Sequence, residues 1–159
     1  MTVSAERLDL VQLTRQALGE YEERLTAHGL SVVSNLPAQP VWVMADGRHL
    51  WRIMDNLLSN CAKYALEGTR VYVEVQGGSD CVRLSVKNIS REVLNLSADR
   101  LTERFVRGDE SRTMEGSGLG LSIAQSLAEL QKGEFHVEMD GDLFKAVVTL
   151  PLAPETQLL

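Results

Sequence analysis

Thr69-Arg70-Val71-Tyr72-Val73-Glu74-Val75-Gln76-Gly77-Gly78-Ser79-Asp80-Cys81-Val82-Arg83-Leu84-Ser85-Val86-Lys87 alternates apolar and polar residues on either side of a glycine-rich break. Val71, Val73 and Val75 fall on one face of a pleated strand, and Val82, Leu84 and Val86 do the same in the next. Two such runs joined by Gly77-Gly78-Ser79-Asp80 predict an antiparallel hairpin with one apolar face. That face must be covered, so the remaining chain has to supply helices.

The segment before the hairpin supplies one. Asp46 reads as the N-cap of a helix over about Arg48 to Ala65. Leu50, Ile53, Met54, Leu57, Leu58 and Cys61 form its apolar stripe. Asn56, Asn60 and Lys63 do not fit the stripe and fall within about 60° of one another on its flank. Asparagine competes for backbone hydrogen bonds and is a poor interior helix residue. An amide oxygen can ligate Mg²⁺ alongside phosphates, and an ammonium group can neutralise them. The cluster is either a polar site at the core's edge or a solvated helix face.

Further upstream, Asp9 and Gln12 look like a capping pair, and Val11, Leu18, Tyr21 and Leu25 mark a helical face ending near Gly29. Ser31 to Leu36, closed by Pro37, and Val41 to Met44 read as short strands.

Downstream, Glu115-Gly116-Ser117-Gly118-Leu119-Gly120-Leu121-Ser122 runs into Ile123, Leu127 and Leu130 at helical spacing, with Ala124 and Ala128 beside them. This predicts a flexible loop meeting a helix N-terminus, where unpaired N–H groups favour an anion. An ordinary glycine-rich turn is the other reading. Phe135, Val137 and Met139 alternate, Asp140-Gly141-Asp142 turns the chain, and Phe144, Ala146, Val148 and Leu150 return it. Pro151 to Leu159 looks like a tail. The order predicts an α/β (α+β) two-layer sandwich, its mixed, largely antiparallel sheet covered on one face by helices.

The length of 159 residues suits one domain with a real core. With 44% hydrophobic and 24% charged residues, the composition is that of a globular protein. A net charge of −6 argues against a nucleic-acid surface. No apolar run reaches membrane-spanning length and no signal peptide opens the chain, so no membrane contact is expected of it. Cys61 and Cys81 lack metal-ligand spacing and read as small core residues of a reduced protein. The early helical pattern suggests an excised piece of a longer protein.

Three motifs together resemble those of sensor histidine kinases. Asp55-Asn56-Leu57-Leu58-Ser59-Asn60-Cys61-Ala62-Lys63-Tyr64 resembles their N box, Arg104-Phe105-Val106-Arg107 their F box, and Gly116-Ser117-Gly118-Leu119-Gly120-Leu121-Ser122-Ile123 their second glycine box. Val148-Thr149-Leu150-Pro151 resembles the close of the same domain. The resemblance spans nearly the whole chain, in the family's order. It implies a Bergerat-type ATP-binding catalytic domain over residues 1–152, with 153–159 as a tail, in a fold shared with gyrase, MutL and a heat-shock chaperone.

By position, the resemblance implies that Asn60 ligates Mg²⁺, that Asn56 sits beside phosphates and metal, and that Lys63 contacts phosphate. It places Tyr64 against adenine or ribose, and Phe105 in the nucleotide site. Gly116, Gly118, Leu119 and Gly120 would supply backbone around the phosphates, with Val106 to Glu115 as a lid. Arg107 is either a contact to the γ-phosphate or a surface arginine. The implied reaction is transfer of the γ-phosphoryl group of Mg-ATP to a histidine on a separate dimerisation domain of the parent, with a response regulator downstream. The implied setting is a cytoplasmic domain of a membrane-anchored parent.

Two departures matter. Where the family's first glycine box, Asp-x-Gly-x-Gly, should follow Lys87, the chain reads Asn88-Ile89-Ser90-Arg91-Glu92-Val93. Asn88 replaces the adenine-reading aspartate, and Ser90 and Glu92 replace glycines. Asparagine still accepts through its amide oxygen, without the charge, at a loss of on the order of 1 kcal/mol. ATP binding is expected to survive, with this loop as the place where it would weaken. In addition, His28, His49 and His136 do not resemble a phospho-acceptor setting. The competing reading is a degenerate nucleotide-binding regulatory module that acts through protein contacts without phosphotransfer. Hydrolysis of the gyrase kind ranks low, because Asn56 stands where those enzymes carry a glutamate.

Overall fold

In a computed structural model, residues 4–91 and 117–153 are described, with 117–120 as backbone alone. Seven strands and three helices follow in order among these residues: β1 (Glu6–Asp9), α1 (Leu10–Ala27), β2 (Ser31–Asn35), β3 (Trp42–Ala45), α2 (Gly47–Tyr64), β4 (Arg70–Gly77), β5 (Cys81–Ile89), α3 (Ser117–Leu130), β6 (Glu134–Asp140) and β7 (Leu143–Pro151).

The main sheet has the order β2-β4-β5-β7-β6. β2 lies parallel to β4, and every other pair is antiparallel. The expected hairpin is β4–β5, with Val73 opposite Val86 and Val75 opposite Leu84. β6 and β7 are joined at Gly141, whose φ of 65° is in the left-handed region that glycine tolerates.

One face of this sheet carries the core. Val71, Val73, Val75, Val82, Leu84, Val86, Val137, Ala146, Val148 and Leu150 are buried against Leu50, Ile53, Met54, Leu57 and Leu58 of α2 and Leu121, Ala124 and Leu127 of α3. The two-layer α/β sandwich of the sequence reading is therefore the observed architecture.

α1 begins at Asp9, whose carboxylate accepts from the Val11 N–H. It ends at Gly29, φ 74°, where the Leu30 N–H reaches back to the Leu25 carbonyl. β1 has no alternating pattern of its own to announce it. It is a strand because β3 pairs with it, Glu6 opposite Ala45 and Asp9 opposite Trp42, with the Arg7 guanidinium over the Trp42 ring.

α3 also departs from expectation. The helix starts at Ser117, so Gly118, Leu119 and Gly120 form its first turn rather than a loop before it. First-turn N–H groups have no intrahelical partner in any case, which makes glycine tolerable there. Leu130, expected on the buried stripe, is 42% exposed, and Leu121 is buried instead. At the C-terminal end, β7 runs through Pro151, Leu152 bridges to Val43, and buried Ala153 donates to the Trp42 carbonyl. Residues expected to open the tail thus hold the small β1–β3 sheet to the large one.

Candidate nucleotide site

α2 carries four of the predicted site residues on one flank. Asn56, Asn60, Lys63 and Tyr64 are all half-buried, beside the fully buried Leu57, Leu58 and Cys61. Roughly 12 Å of helix axis separates Asn56 from Tyr64. The Asn56 Nδ2 is buried and has no hydrogen-bond partner among the described residues. The Cys61 thiol, on the core side, is pushed up to about 12 by burial and stays neutral.

Asp55, adjacent to Asn56, belongs to a different arrangement. It accepts from the Tyr21 hydroxyl of α1. Burial, with the bond to Asp55 next, pushes that phenol up to about 12. This carboxylate ties α1 to α2, away from the asparagine flank.

The last turn of α2 is sewn to the end of β5. The Leu66 N–H donates to the Ile89 carbonyl at 2.7 Å, and the Arg91 N–H to the Tyr64 carbonyl at 2.9 Å. Ala65 and Ser90 form an antiparallel bridge, and the Ser90 N–H donates to Asp142 at 2.7 Å. The Arg91 guanidinium donates to the Lys63 carbonyl and lies 6.0 Å from the Tyr64 ring centre. Arg91 is the site residue that sequence reasoning missed. Nothing local in the sequence links it to Tyr64, because the contact requires β5 to end beside α2.

Asn88 completes the row Val82, Leu84, Val86 on the core-facing side of β5. It is 3% exposed, paired in register with Phe144, and its Oδ1 has no partner among the described residues. A polar side chain at the end of an apolar row, left unpaired, is a strong pointer to a ligand group.

At the opposite end of α2, Asp46 accepts from the N–H groups of Ser4, Arg48 and His49. The Ser4 N–H is the largest of the influences that hold its carboxyl well below the usual range, followed by the Arg48 guanidinium. The Asp46 N–H donates to the Gln131 Oε1 at 2.6 Å, so the end of α3 meets the start of α2. α2 and α3 pack side by side. The helix rise then carries Ser117 roughly 20 Å from this contact, level with the Asn56–Tyr64 half of α2. The backbone of Gly118, Leu119 and Gly120 is thereby brought towards that half of α2. Phe105, Arg107, Gly116 and the expected lid, 106–115, lie outside the described residues.

The model of the family described as histidine kinase-, DNA gyrase B-, and HSP90-like ATPase matches residues 45–154, from the end of β3 past the end of β7. The chain belongs to this ATPase family. The ATPase-family domain is 33% identical over 141 residues to the probable sensor protein PcoS of Escherichia coli, covering 87% of this chain and 28% of PcoS. The catalytic domain of histidine kinase ThkA, in a nucleotide-free form, has the same fold, with a TM-score of 0.81 at 20% identity over 96% of this chain and 98% of that one. Full-length ShkA in complex with AMPPNP matches with a TM-score of 0.80 at 23% identity, over 99% of this chain and 33% of ShkA. The chain spans less than half the length of the curated sensor proteins and kinases it matches.

The described residues fit a nucleotide. One buried donor without a partner, the Asn56 Nδ2, lies on the helix flank, and one buried acceptor without a partner, the Asn88 Oδ1, lies at the strand end. Phosphate oxygens accept hydrogen bonds and an exocyclic base amino group donates them, so the two orphaned atoms have opposite and complementary requirements.

Proposed function

We propose that this domain binds Mg-ATP between the asparagine flank of α2, the first turn of α3 and the end of β5. The γ-phosphoryl group would pass to a histidine on a separate dimerisation domain of a longer, membrane-anchored parent. A response regulator would be the onward acceptor, and the domain would face the cytoplasm. The observation that carries this reading is the pair of buried, unpartnered amide atoms on Asn56 and Asn88.

In this arrangement Asn60 would hold Mg²⁺ through its amide oxygen, and Asn56 would donate to a phosphate oxygen. Lys63 and Arg107 neutralise phosphate charge. Gly116, Gly118, Leu119 and Gly120 offer main-chain N–H groups, reinforced by the positive end of α3. Tyr64 and Phe105 pack on the nucleoside, and Asn88 meets the base. When bound, the metal would neutralise phosphate charge. The protein's share of the rate is positioning and electrostatic stabilisation. Asp55 is unsuited to act as a general base, since it is engaged by Tyr21.

Calorimetric titration with Mg-ATP tests the binding step. Wild-type protein should titrate, and Asn60→Ala should lose on the order of 100-fold in affinity, equivalent to about 2.7 kcal/mol. Absence of sub-millimolar binding at every Mg²⁺ concentration would overturn the reading. Supplying a histidine-bearing dimerisation domain with labelled ATP then tests transfer. Binding without transfer would favour the regulatory module, which draws support from the latching of Ser90 and Arg91 to Asp142 and Tyr64.

A further inference from the structure

We propose that Asn88 makes this site a reader of purines rather than of adenine alone, so that a guanine nucleoside triphosphate is accepted alongside ATP. The inference rests on the nucleotide-site reading above and concerns which base that site takes.

Asn88 is the last member of the core-facing row of β5 and is 3% exposed. The main-chain groups around it are already engaged. The Ser90 N–H is held by Asp142, the Ile89 carbonyl by Leu66, and the Arg91 N–H by Tyr64. The Asn88 Oδ1 is the buried acceptor left over. A base arriving beside Asn88 would therefore be read by this amide.

A side-chain amide carries a donor and an acceptor on the same carbon, and a half-turn about the Cβ–Cγ bond exchanges them. Adenine presents an amino donor at position 6 beside an acceptor at N1. Guanine presents an oxygen acceptor at position 6 beside an N–H donor at N1. The amide matches the first pattern in one rotamer and the second in the other. A carboxylate has acceptors alone, so in the same pose it takes the adenine amino group and sets an unpaired oxygen against guanine O6. In a buried site such a mismatch is what generates discrimination. With Asn88 in place of a carboxylate, that discrimination is removed.

The test is calorimetric titration of the 159-residue chain with Mg-ATP and, separately, Mg-GTP. For the wild type both should titrate, with dissociation constants within about tenfold of each other. Asn88→Asp should keep ATP and weaken GTP relative to ATP by about tenfold or more. Wild-type protein that binds ATP with GTP more than about 100-fold weaker would overturn the inference and leave the proposed function standing. The same GTP-to-ATP ratio in wild type and Asn88→Asp would overturn the role of Asn88. No binding of either nucleotide would overturn both readings. Circular dichroism checks that Asn88→Asp is folded. If it is not, Asn88→Ala replaces it and should weaken both nucleotides by a similar factor, and loss confined to one base would overturn the inference.

Discussion

The two ends of α2 are built to opposite rules. At its start, Asp46 collects the N–H groups of Ser4, Arg48 and His49, and its own N–H is taken by Gln131. The polar groups there are spent on one another, and the result is a fixed joint between α2, α3 and the N-terminal segment. The second half of the same helix presents Asn56 with a buried unpaired Nδ2, and β5, whose end bridges to the close of that helix, carries the buried unpaired Oδ1 of Asn88. Unpaired buried polar atoms are destabilising, and a fold keeps them where something else completes them. One end of the helix is organised for stability, the other is the end proposed to take a ligand, and a shared apolar stripe connects them.

The largest effect should come from that stripe. Leu58 is fully buried, and Leu58→Ala should lower stability by about 2–5 kcal/mol. Urea denaturation measures it, and a loss well under 1 kcal/mol would mean that the helix is not anchored as described. Next is the ligand end. Asn88→Leu removes an unpaired buried acceptor, and so should raise unfolding free energy by about 1 kcal/mol or more, while Mg-ATP affinity falls. A destabilised Asn88→Leu would show that the amide has a structural partner, which would break the contrast between the two ends. The smallest effect belongs to the cap. The Asp46 carboxyl is depressed in the folded chain, so its contribution is fully present above the ordinary carboxylate value of about 4 and is lost as the pH falls below it. A pH series of thermal melts should show stability falling on the acid side of that value, by less in Asp46→Asn than in wild type. Equal acid slopes in both proteins would remove Asp46 from the account.

Much of the site could be read from residue order. Asn56, Asn60 and Lys63 are marked by their misfit with the apolar stripe, which depends on helical spacing alone. The departure from the first glycine box is legible in the sequence through Asn88, Ser90 and Glu92. Two things were not. Arg91 engages Lys63 and Tyr64 across a long stretch of chain, and no local rule connects them. The helical state of Gly118 and Gly120 runs against glycine propensity and is tolerated in a first turn, whose N–H groups have no intrahelical partner.

The sequence by itself determined the periods: alternation for β4, β5, β6 and β7, a 3.6-residue stripe for α2, and caps at Asp9 and Asp46. These follow from side-chain geometry and backbone hydrogen bonding within a few residues. The tertiary structure alone decided that β1 is a strand, that Leu121 rather than Leu130 faces the core, and that Ala153 closes the domain. It also decided that Asn88 ends beside α2 as a buried acceptor. Each of these depends on which surface arrives opposite, a relation between distant residues that periodicity does not encode.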